Sequence, residues 1–95
     1  MIDPLIEKLE TERSIGADYE RSWNGLVKPF FDKKQEELFE VFKELPTTNS
    51  EGLMLVKTSL NALQMLEDEF RHYINTGKMA SQTLNDLEKE KDHAA

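Results

Sequence analysis

The sequence contains no cysteine, which excludes a disulfide framework and any thiolate metal site. Glycine and proline are sparse, with four and three residues respectively, and none of the glycines stands in a phosphate-cradling loop pattern. No apolar run approaches the roughly 18 residues of a membrane span, and no signal-peptide core follows Met1. A soluble cytosolic protein with no membrane partner is expected. Basic residues are the scarcer sign, 12 against 19 acidic, for a net charge of −7. Non-specific nucleic-acid binding relies on basic surface that neutralises phosphates, so direct nucleic-acid contact is not expected. The acids are spread along the whole chain. The ordinary reading is a self-repelling, soluble surface; the sharper one is an acidic face docked on a basic partner. Nucleophile motifs and zinc spacings are also missing, and Ser14, Ser22, Ser59 and Ser81 have no catalytic setting. A non-enzymatic protein without cofactor follows.

What the chain does have is helical periodicity. The longest proline-free periodic run is Glu51 to Thr76. At about 100° per residue, Leu53, Val56, Leu60, Leu63, Phe70 and Ile74 form one stripe, and Leu55, Ala62, Leu66 and Tyr73 form a second beside it. Lys57, Asn61, Gln64, Asp68, Arg71 and Asn75 occupy the remaining side. The apolar arc is wider than the ~100° of an ordinary surface helix, so this helix needs more than one neighbour.

Taken in order, Asp3-Pro4 predicts a helix start, with an N-cap acceptor and then a proline where the missing N–H costs nothing. Ile2, Leu5, Ile6 and Leu9 begin an apolar face that Tyr19 and Trp23 continue, interrupted by Glu12, Arg13 and Gly16. This first helix (about 3–23) is expected to lie across the molecule or reach a second subunit, with a bend at Gly16. Asn24-Gly25 is expected to break it. The second helix (about 26–45) places Leu26, Val27, Phe30, Phe31, Leu38, Val41, Phe42 and Leu45 on a face narrow enough for one partner. Pro46 to Ser50 is the turn, with Thr48 and Glu51 as a capping box and Ser50 as a rival cap. A connection this short predicts an antiparallel hairpin with a third helix over about 50–76. Phe42 and Leu45 should then meet Leu53 and Val56, and Phe30 and Phe31 should lie near Phe70 and Ile74. Gly77 is expected to cap the third helix. Met79, Ala80, Leu84 and Leu87 form a short C-terminal helix, which completes a single all-α domain over 1–87. Residues 88–95 are a charged, frayed tail.

Two spacings suggest chemistry. Glu69-x-x-His72 and Glu90-x-x-His93 each put a carboxylate and an imidazole on one helix face, as in carboxylate-bridged di-iron bundles. Such a site also needs inward carboxylates from two further helices, and the first two helices direct most of theirs outward. A metal is therefore not expected; if one bound, Glu67, Glu69 and His72 would hold it, in an iron-binding helical oligomer. Glu67 interrupts the first stripe of the third helix and calls for a partner such as Arg13 or Lys34, because an unpaired buried carboxylate is costly. Trp23, Phe30, Phe31, Phe39 and Tyr73 serve either as core or as an aromatic contact patch, and Phe39 falls off its helix's stripe.

The stretch from Arg21 to Leu84 resembles small all-helical proteins of tailed bacteriophages and prophages. The shared features are Trp23-Asn24 ahead of the second helix, the turn Leu45-Pro46-Thr47-Thr48, the Leu-rich third helix and the run Gly77 to Ala80. That group is mostly of unassigned function and is often encoded near head-assembly genes. The resemblance implies a location in the host bacterial cytoplasm or the virion and an interaction role. The expectation is a homo-oligomer acting in virion assembly or as an adaptor, with Leu55, Leu66, Tyr73, Phe39, Leu5 and Leu9 as association residues. Another phage or host protein is the expected partner besides a second copy; the alternative function is a small acidic inhibitor that binds a host or anti-phage defence protein.

Overall fold

The computed structural model describes residues 3–94, with side chains through Lys91. All regular structure in this range is helical: α1 (Pro4–Ser22), a wide π turn (Trp23–Val27), α2 (Lys28–Glu44) and α3 (Ser50–Ala94). The expected start of α1 is present. The Leu5 N–H donates to Asp3 Oδ1 at 2.9 Å and the Glu7 N–H to the Asp3 carbonyl at 3.0 Å, so Asp3 satisfies donors that the first helical turn leaves open.

Asn24-Gly25 does not break the chain into separate helices. Ser22, Val27 and Lys28 all keep right-handed helical dihedrals, and the Lys28 N–H donates to the Trp23 carbonyl, five residues back. The physical reason lies in Pro29. A proline inside a helix lacks the N–H for the bond four residues back, and its ring crowds that carbonyl. A single widened turn just before it relieves the crowding and keeps the helix running. Gly25, with nothing within 4 Å of where a Cβ would stand, sits in the open part of that turn.

The link from α2 to α3 is short. Leu45 turns to an extended conformation (φ −72°, ψ 130°), as a residue before proline should, and the Asn49 N–H closes a turn on the Pro46 carbonyl at 2.9 Å. The cap of α3 is Asn49, not Thr48 or Ser50: its Oδ1 accepts from the Gly52 N–H at 2.9 Å. A Cβ on Gly52 would stand 2.8 Å from Leu45 Cδ2, so the two ends of the turn touch.

Gly77 does not end the third helix. No glycine among the described residues has positive φ, and α3 continues through the stretch expected to be a separate C-terminal helix and on through residues 88–94. After Gly77 the sequence offers no glycine or proline, and its Lys, Glu, Leu and Gln residues are good helix formers.

The described residues divide into two units, one joining the stretch up to Arg21 with the stretch from Phe70, the other spanning Ser22–Glu69. In the first unit α1 is helical throughout. Gly16 is buried against Gly77: a Cβ on Gly16 would lie 2.6 Å from Gly77 Cα and 2.9 Å from the Tyr73 carbonyl oxygen. The polar middle of α1 is thus where two backbones come closest, which only residues without side chains allow. Ala80 (2% exposed) and Leu84 (9%) continue this seam. Tyr19 closes it, edge-on to Phe70 at 5.1 Å and stacked on Tyr73 at 4.5 Å. Within this unit Phe70 therefore packs on Tyr19, which the unbroken run of α1 supplies as a neighbour.

In the second unit the buried residues are Phe31 (2% exposed) and Val56 (5%). Phe31 packs on Trp23 with ring centroids 5.4 Å apart. The under-wound turn between them brings Trp23 round to the side of Phe31.

Candidate association surface

The second unit carries two apolar grooves, one on each side of Leu38, which lines both. The first, about 460 Å³, runs between Phe30, Lys34, Glu37 and Val41 of α2 and Ser59, Ala62 and Leu63 of α3. Its floor is made by the small residues Ser59 and Ala62. The Ser59 hydroxyl donates to the Leu55 carbonyl of its own helix at 2.9 Å, so it is already satisfied. Leu55 and Leu66 stand four residues before and after Ser59 and Ala62 on the same face of α3, and they are 64% and 39% exposed. Across the groove Phe30 and Val41 are about half exposed. The second groove, about 310 Å³, is lined by Gln35, Leu38, Phe39, Phe42 and Leu60.

The two stripes expected on α3 do not separate cleanly by burial. In the first, Val56 is buried and Leu53, Leu63, Phe70 and Ile74 are half-buried, but Leu60 is as open as Leu66 of the second; in the second, Leu55 and Leu66 are open to solvent and Tyr73 is half-buried. On α2, Phe30 and Val41 open to one groove and Phe39 and Phe42 to the other, and each is about half exposed.

The expected association residues are divided between the two units. Leu55 and Leu66 flank the first groove and Phe39 lines the second. Tyr73 is occupied by Tyr19, and Leu5 (exposed) and Leu9 (half-buried) belong to the first unit. Sequence reasoning missed Phe30 and Val41 as surface residues by assigning them to a core.

The electrostatics of the first groove are local. Lys34 Nζ lies 3.3 Å from Glu37 Oε2 and 5.7 Å from the centre of the Phe30 ring. Lys34 therefore pairs within its own helix, and Glu67 is half-buried with an interaction of its own. Lys43–Glu40 (2.8 Å) and Arg21–Asp18 are likewise exposed i,i+3 pairs, worth little to stability.

Among the described residues no three His, Asp or Glu side chains gather as a metal site would require. Glu69 and His72 are both exposed, and the His72 ring lies edge-on to Tyr73 at 5.3 Å. The second such spacing ends at His93, outside the described side chains. No described helix is long and apolar enough to cross a membrane. No protein-family model matches the chain, and neither a curated protein nor a solved structure matches it.

Proposed function

We propose that this chain is a non-enzymatic helical association protein. Its α2–α3 hairpin completes an apolar core by pairing with a second copy of the chain. The observation that carries this reading is the set of large apolar side chains left open in the second unit. Leu26, Phe30, Phe39, Phe42, Leu55 and Leu66 are exposed there, while Phe31 and Val56 are its buried apolar residues among those described. The resemblance at Trp23-Asn24, Leu45 to Thr48 and Gly77 to Ala80 supports placing such a homo-oligomer among phage proteins of virion assembly or adaptor function.

The test is solution mass. Sedimentation equilibrium at micromolar concentration should give a multiple of 11.0 kDa, and Leu66→Glu should lower it while leaving the helical circular-dichroism signal intact. A wild-type mass near 11 kDa at every concentration would end this reading.

A further inference from the structure

We infer that the second copy docks on the first groove about a two-fold axis, with α2 antiparallel to α2 of the other copy, so that Lys34 of each chain meets Glu37 of the other. This rests on the self-association proposed above and specifies its face and direction. Phe30, Lys34, Glu37 and Val41 all line that groove. They are spaced four, three and four residues apart, the spacing of an interhelical seam, and so make one straight edge of α2.

The order along this edge is self-complementary. In a two-fold interface the same patch meets itself in reverse. An axis passing between Lys34 and Glu37 sets Lys34 against Glu37 of the second copy and Phe30 against Val41 of the second copy. Opposite charges meet at the centre and apolar side chains at both ends. A parallel arrangement would set lysine against lysine and glutamate against glutamate. The net charge of −7 makes most ways of apposing two copies repulsive, whereas the lining of this groove carries one charge of each sign.

Each member of the edge has surface to give. The Lys34 and Glu37 side chains are 46% and 49% exposed, and Phe30 and Val41 are 53% and 48% exposed. The second groove has no charged lining residue to set a direction.

Charge reversal tests the pairing. Lys34→Glu and Glu37→Lys should each raise the dissociation constant for self-association at least about tenfold, a change of about 1.4 kcal/mol. An equimolar mixture of the two should recover near wild-type affinity as a mixed dimer, seen by native mass spectrometry. Lys33→Glu, at an exposed position outside the groove lining, matches the net charge of Lys34→Glu and should leave affinity unchanged. Single variants that weaken association without rescue on mixing would overturn the antiparallel pairing. Single variants without effect, in a protein that does self-associate and loses association on Phe42→Glu, would move the interface to the second groove. That outcome overturns this inference and leaves the self-association standing, whereas a wild-type chain that stays monomeric overturns both.

Discussion

Gly16→Ala should lower the urea midpoint of unfolding, and Gly25→Ala should raise it. In a helix, alanine is favoured over glycine by about 1 kcal/mol through backbone entropy alone. At Gly25 nothing stands within 4 Å of the new methyl group, so most of that gain should be realised. At Gly16 the methyl group would stand 2.6 Å from Gly77 Cα and 3.2 Å from Gly77 N, both backbone atoms. Neither can swing aside, so α1 has to lift from α3. Lifting exposes Ala80 and Leu84 and separates Tyr19 from Phe70 and Tyr73. Overpacking of this kind costs about 1–3 kcal/mol, enough to reverse the propensity gain. Gly77→Ala should behave like Gly16→Ala, since its methyl group would meet Gly16 Cα at 2.7 Å. The midpoints must be compared at one protein concentration, because self-association adds stability that depends on it. A raised midpoint for Gly16→Ala would mean that the two backbones are not in contact.

These glycines also show where the sequence misleads. Periodicity identifies the helices, and Asp3-Pro4 and Pro46 mark real boundaries, because a cap and a missing N–H act within a few residues. Glycine is ambiguous in a way proline is not. It marks a chain reversal when its left-handed conformation is used and a close approach when its missing side chain is used. Gly16 and Gly77 are of the second kind, and nothing local distinguishes the two uses. The spacing of Gly77 and Ala80, two small residues on one face opposite Gly16, was the available signal. Asn24-Gly25 reads as a break for the same reason, although Pro29 nearby requires only one widened turn. In the candidate site, Leu55 and Leu66 were legible because they fall outside the main stripe of a long helix. The edge formed by Phe30, Lys34, Glu37 and Val41 was not, because its two central members are charged and a search for apolar periodicity passes over them.

Phe31→Ala should be the most damaging of the phenylalanine truncations in α2, and Phe42→Ala should cost markedly less. Sequence periodicity puts both on one face and sets Phe42 against Leu53 and Val56 across the turn, which would make the two truncations alike. Instead Phe42 is 51% exposed, while Phe31 is 2% exposed. Removing a fully buried phenylalanine forfeits its transfer free energy and leaves a cavity, together about 3–5 kcal/mol. Domains are commonly stable by only ~5–15 kcal/mol, so Phe31→Ala should remove a large part of the stability of the second unit. The effect has a built-in reporter. Trp23 is the single tryptophan, and its ring lies 5.4 Å from that of Phe31. Tryptophan emission of Phe31→Ala should therefore shift toward longer wavelength without denaturant, as water reaches the indole, while Phe42→Ala keeps the wild-type spectrum. Equal losses of stability for the two variants, with unchanged Trp23 emission in both, would show that Phe31 does not pack under Trp23 and that the π turn does not bring the two rings together.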